Sequence, residues 1–215
     1  MVTANTSHGE LDGGSPQRSE PGYGFDFCGG ELAIDFTNTV GDRGSDPEEH
    51  FNTFGDIVAW AEARDVISRG VAASLRQRAG ADPGGARRAW RSAVVFREAL
   101  YHVIAASSSG RRTRPADLAI VNEQVAETFS GASLVQAGER FSLETPAEQW
   151  LDPVLRPVVR AAVDLLTSDA LTRVRRCADD TCGWLFLDTT RSGTRRWCDM
   201  RSCGNRAKVR RFREG

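Results

Sequence analysis

The 215-residue sequence predicts a mainly α (α+β) N-terminal domain with a minor β-hairpin, followed by a small four-cysteine α+β finger. Apolar residues recur at spacings of three and four through most of residues 31–167, the pattern of helices that each bury one stripe. One stretch departs from that period: the runs 134–137 and 140–143 flank Gly138-Glu139 and read as a β-hairpin. Four of the five cysteines fall near the C-terminus as Cys177-x4-Cys182 and Cys198-x4-Cys203, with fifteen residues between the pairs. Each pair offers two thiolates, and a spacer of that length can fold back to bring them together, which is the sequence form of a zinc site. One Zn2+ per chain is expected on Cys177, Cys182, Cys198 and Cys203, with two disulfides as the competing reading.

The elements follow in order. Residues 1–22 are Gly, Ser, Pro and polar side chains with almost nothing to bury, so a disordered leader is expected, with order beginning near Tyr23. Phe25 and Phe27 alternate with polar neighbours like a short strand, and Gly29-Gly30 turns the chain. Residues 31–40 read as a helix with Leu32, Phe36 and Val40 on one face and Glu31, Asp35 and Asn38 opposite. A polar loop is expected over 41–52, then helices over 54–64 and 68–79. Asp82-Pro83-Gly84 marks a turn before the longest helix, 86–106, whose stripe is Ala89, Ala93, Phe96, Leu100 and Ile104. A loop rich in serine and arginine follows, and Pro115 opens a helix over 115–129. Residues 146–167 are helical in character, with Pro153 and Pro157 expected to break or kink the first half.

The domain that ends near residue 170 has enough apolar residues for its own core, so loss of the metal is expected to unfold the finger, 171–215, alone. Within the finger, 184–187 read as a strand, Asp188 to Gly193 as a turn, and Arg195-Arg196-Trp197 as the returning strand. Trp184, Phe186 and Trp197 are either the finger's small core or platforms for stacked bases. Asn205 reads as an N-cap, with Val209 and Phe212 packing the last helix onto the finger.

Charge divides the chain. Residues 171–215 hold 12 Lys+Arg against 5 Asp+Glu, and residues 1–170 hold 16 against 24, giving balances of +7 and −8. A basic module on an acidic body fits an end that binds a polyanion, although arginines that merely solubilise a small fold, or balance four thiolates, give the same count. The candidate contacts are Arg191, Arg195, Arg196, Arg206, Lys208, Arg210, Arg211 and Arg213. No apolar run approaches the roughly 20 residues that span a bilayer, and the N-terminus lacks a signal-peptide pattern, so a cytoplasmic protein without membrane contact is expected. His8, His50 and His102 form no ligand or nucleophile motif, Cys28 reads as an inert thiol, and a four-thiolate site leaves no open position, so no enzyme is expected.

Two resemblances sharpen this reading. Cys182-Gly183-Trp184-Leu185-Phe186-Leu187-Asp188, Arg195-Arg196-Trp197-Cys198 and Cys203-Gly204-Asn205-Arg206-Ala207-Lys208 closely resemble the CGNR zinc finger. Gly29-Gly30-Glu31-Leu32-Ala33-Ile34-Asp35-Phe36-Thr37-Asn38-Thr39 resembles the opening motif of the ABATE domain. The pairing of these two implies a bacterial transcription regulator, with the finger on double-stranded DNA and the N-terminal domain sensing a signal or mediating association, for instance as a homodimer. A zinc-stabilised protein- or RNA-interaction module is the alternative. Asp35, Asn38 and Arg43 are the candidates to line a small-effector pocket, against the plainer reading that Asp35 and Asn38 cap local turns.

Overall fold

The computed structural model describes residues 24–144 and 150–214. The expected leader, Tyr23 and the start of the helix expected from residue 146 lie outside them. The elements run α1 (Leu32–Thr37), β1 (Val40–Gly41), β2 (Glu48–Glu49), α2 (Phe54–Ala63), α3 (Arg69–Ala81), α4 (Pro83–Ser108), α5 (Pro115–Phe129), β3 (Ser133–Ala137), β4 (Arg140–Glu144), α6 (Asp152–Leu166), β5 (Val174–Arg176), β6 (Leu185–Leu187) and α7 (Asn205–Glu214), with a 3-10 turn at Asp169–Arg173 and a π-helical turn at Met200–Gly204.

The short helix α1 is the centre of the molecule. Ala33, Ile34, Asp35, Phe36 and Thr37 are all buried, and α1 packs against both α4 and α6. Around Phe36 the rings of Trp60, Phe51 and Phe96 stand 5.4, 5.7 and 5.9 Å away. Such tilted and edge-on ring pairs add to the burial of their area. The helix is shorter than expected because Asn38 caps it, and Val40 leaves to pair with Glu49 across a two-residue bridge inside the expected polar loop. Residues 24–28 form no strand.

The long helix α4, about 39 Å from end to end, is the spine on which α1, α2, α3, α5 and α6 lean. It begins earlier than expected because Asp82 is its N-cap, accepting from the Gly85 amide, and Pro83 occupies the first turn, where its missing N–H costs nothing. Arg97 on α4 is 1% exposed, and its two terminal nitrogens each sit 2.6 Å from a Glu49 oxygen. That bidentate pair, with Glu98 at 2.9 Å from its Nε, offsets the cost of burying a guanidinium and ties the β1–β2 loop to α4. Helix α6 runs unbroken from Asp152 to Leu166: Pro153 lies in its first turn, and Pro157 sits inside the helix without interrupting it. The β3–β4 hairpin forms over the expected residues, with Leu134 opposite Leu143.

Beyond α6 the structure departs from the expected strand pairing. Strand β6 pairs antiparallel with β5, Val174 opposite Leu187 and Arg176 opposite Leu185, rather than with residues 195–197. The first cysteine pair is therefore the turn of this hairpin, and the Cys177 amide closes it by donating to the Trp184 carbonyl at 2.8 Å. Val174 and Leu185 are fully buried in the same apolar core as α1, α4 and α6. The base of the finger is thus rooted in the domain's core, while Cys28, the four cysteines and Phe186 form a second cluster, with Trp184 and Trp197 packed against it.

Candidate metal centre

The β5–β6 turn delivers Cys177 and Cys182, and the segment after residue 196 delivers Cys198 and Cys203. The four Sγ atoms all lie within 4.8 Å of one another, and all four residues are buried. Cys198 Sγ is 3.7 Å from Cys182 Sγ and 3.6 Å from Cys203 Sγ, and its amide donates to Cys177 Sγ at 3.5 Å. These separations are far longer than the roughly 2 Å of a disulfide. The cysteines are free thiols arranged as a cage able to ligate a metal ion through four sulfurs.

Electrostatics point the same way. Hydrogen bonds from Cys182, Cys198 and Cys203 hold the Cys177 thiol below its ordinary range. Contact with Cys177 pushes Cys203 up, but hydrogen bonds from Cys182, Cys198 and Arg206 outweigh it and hold Cys203 at about 6. Cys182 and Cys198 are pushed up, Cys177 being the leading cause for each. Four thiolates this close cannot all ionise unless a cation is there to receive them.

Two backbone features make the cage. Gly183 turns the chain at φ 71°, a conformation that favours glycine. Gly44, on the loop after β1, lies so close that a Cβ there would stand 1.9 Å from the Asp180 carbonyl. The Gly44 and Arg43 amides donate to the carbonyls of Thr181 and Cys182 at 2.9 and 3.0 Å.

Residues 30–169 match the ABATE family model, described as "Putative stress-induced transcription regulator", and residues 173–214 match the CGNR zinc finger. The chain belongs to the ABATE family. No curated protein matches it. A domain and a finger of these two types place the protein in nucleic-acid or protein interaction, and no helix among the described residues is long and apolar enough to cross a membrane.

In this ABATE protein the polar face of α1 is turned towards the finger. Asn38 accepts from the Leu185 amide at 3.0 Å and donates to the Leu185 carbonyl at 2.9 Å, so one side-chain amide acts as an extra strand partner for β6. Asp35 accepts from the Gly29 amide at 2.8 Å and from Arg64 at 2.9 Å. Burial pushes its carboxyl above the ordinary aspartate value, against the pull of Arg64. Arg43 forks onto Glu98 at 2.7 and 2.8 Å, stacks 4.1 Å over the Tyr101 ring, and donates to the Thr37 carbonyl. Tyr101 Oη in turn donates to the Gly183 carbonyl at 2.7 Å. Asn38, the Arg43 amide and Tyr101 join domain to finger, whereas the side chains of Asp35 and Arg43 find their partners within the domain. A cavity of about 340 Å³ lies elsewhere, between α4, α5 and the start of α6, with Arg88, Ser92, Gln124, Trp150, Leu155 and Arg156 in its wall.

The eight basic candidates separate into two groups. Arg195 lies over the Phe186 ring and donates to the carbonyls of Cys28, Trp197 and Cys198. Arg206 and Arg210, one turn apart on α7, each donate to Asp179 at 2.9 Å, and Arg206 also reaches Cys203 Sγ at 3.1 Å. Burial pushes the Asp179 carboxyl up, but Arg210, the Thr181 amide and Arg206 outweigh it and leave it below the usual aspartate range. These three arginines are spent on the fold. Arg191, Arg196, Lys208, Arg211 and Arg213 are exposed.

Sequence reasoning missed Asp179, because its role depends on α7 folding back over the first cysteine pair. It also missed that Asp199, immediately before the π-helical turn, caps it by accepting from the Arg201 amide. Asn205 lies inside the continued helix and donates to the Arg201 carbonyl instead. Trp184 and Phe186 belong to the interior: Phe186 is fully buried, and Trp184 Nε1 donates to the Val40 carbonyl at 2.6 Å. Cys28 is buried against the four-cysteine cluster rather than standing apart from it.

Proposed function

We propose that the cage holds one Zn2+ and that the protein is a transcription regulator whose finger binds double-stranded DNA. The sulfur separations of 3.6 and 3.7 Å support zinc. A tetrahedron of bonds of about 2.3 Å has edges of about 3.8 Å. Four buried thiolates saturate the ion and leave no position for substrate, so the metal is structural.

The observation that carries DNA binding is the division of the arginines. If the basicity of the finger served only to balance the thiolates, the cations would converge on the cage, as Arg206 does. Arg191, Arg196, Lys208, Arg211 and Arg213 are instead exposed on its outside, and none has an ion pair among the described residues. They are available to phosphates. The acidic ABATE domain faces away from this role and serves sensing or association, for which the cavity beside Trp150 is a better effector site than the polar face of α1.

Titration of metal-loaded protein against duplex DNA at several salt concentrations tests the reading. With about five phosphate contacts, log K is expected to fall with a slope of roughly −4 to −5 against log[salt]. A metal-loaded protein that ignores duplex DNA even at low salt overturns it.

A further inference from the structure

The geometry points to α7 as a helix that reads sequence in the major groove, through apolar contact of Val209 and Phe212 with thymine methyl groups. This rests on the DNA-binding reading above and adds the residues that discriminate between sites.

Val209 and Phe212 were expected to pack onto the finger. They are 49% and 89% exposed. The reason is visible on the adjoining flank of the helix, the one that also carries Arg213, where Arg206 and Arg210 clamp α7 to the buried Asp179 carboxylate. With that side fixed by ion pairs, the apolar pair faces out. Val209 and Phe212 are i,i+3 neighbours and share one strip of helix surface. Around the helix, Lys208 and Arg211 flank this strip on one side and Arg213 on the other, all three exposed.

An apolar strip between two rows of cations is complementary to a duplex groove, which has apolar and polar base edges on its floor and a row of phosphates along each wall. Helix α7 has 10 residues, about 15 Å of length, and the major groove, about 12 Å wide, admits a helix. The C5-methyl of thymine is the apolar group that the groove floor presents, and it distinguishes A·T from T·A and from G·C. Cations flanking the strip position the helix but carry no sequence information; Val209 and Phe212 supply it.

The test uses the full-length, metal-loaded protein. Preferred duplexes are selected from a random pool, and each thymine of the selected site is then replaced by deoxyuridine, which removes only the methyl. Wild type is expected to lose about fourfold in affinity at each methyl it covers. Phe212→Ala and Val209→Ala are expected to bind the thymine duplex more weakly, to become indifferent to the uracil replacement, and to keep the wild-type salt slope, since neither carries charge. Both side chains are exposed, so metal content and melting temperature should match wild type. Salt-sensitive duplex binding with no methyl effect, or variants that keep the wild-type preference, overturns the inference while leaving DNA binding intact. Tighter binding to single strands than to duplex, lost in Phe212→Ala, also overturns it by assigning the ring to base stacking. Absence of any duplex binding removes the functional reading itself.

Discussion

At the scale of single residues, Asn38 does the work of a missing strand. Its amide satisfies both backbone groups of Leu185, 147 residues away in the chain, in a region closed to water. Asn38→Ala would leave that N–H and C=O unpaired, and a loss of about 2–4 kcal/mol is expected in urea unfolding of the metal-loaded protein. A loss within experimental error would show that water replaces the amide. Glu98 allows a test by pH. Burial alone would push its carboxyl up, but hydrogen bonds and charge from Arg43 and Arg97 hold it below the ordinary glutamate value of 4.5. A depressed folded value means the unfolded chain binds the proton more readily. The stability that Glu98 contributes is therefore complete above about pH 4.5 and is lost as pH falls through the folded value. The gap between wild type and Glu98→Gln, measured at equal metal content, is expected to close on acidification; a gap that stays constant would contradict the assignment. The sequence places Asp35 and Asn38 on one polar face, with Arg43 in the loop beyond it. It does not show which way the face turns, because Leu185 and Gly183 lie far along the chain.

At the scale of elements, α7 separates two roles that its sequence mixes. The run from Arg206 to Arg213 reads as uniform positive charge, and nothing local marks Arg206 and Arg210 as different from Lys208 and Arg211. The buried Asp179 makes the difference. Arg210→Ala is accordingly expected to weaken metal retention against a competing chelator and to leave the salt slope of DNA binding near wild type. Lys208→Ala is expected to lower that slope by about one unit with metal retention unchanged. The reverse pattern would place Arg210 on phosphate. Helix α5 was legible to its first and last residue because Pro115 starts it and its stripe is regular. The pairing of β6 was not, since residues 174–176 and 195–197 each join two arginines to one apolar residue. Only the hairpin turn made by the first cysteine pair decides between them.

At the scale of the molecule, the hairpin that carries the metal centre is rooted in the core of the ABATE domain through Val174 and Leu185. Fold class and the four cysteines were readable because both depend on local spacing. The join was not, because it depends on backbone groups of Gly44, Val40 and Gly183 meeting partners that no local pattern announces. Removal of the metal by a chelator, or Cys203→Ala, is expected to lower a single cooperative transition and to weaken amide-exchange protection at Ile34 and Phe36 as well as in β6. Two transitions, with the N-terminal one unmoved, would show instead that the two units unfold separately. Gly44→Ala is expected to do similar damage without touching a ligand, because its methyl would strike the Asp180 carbonyl.

That close approach bears on how such proteins can be recombined. A cut near residue 173 looks safe on a linear map, yet it strips Val174 and Leu185 of their neighbours and Leu185 of the Asn38 amide. A finger grafted onto another carrier would bring two bare apolar side chains and an unpaired strand edge, and would aggregate or lose its metal. A working transplant would have to carry residues 28–44 as well, the stretch that includes Asn38, Arg43 and Gly44, so the portable unit is made of two segments taken from opposite ends of the chain.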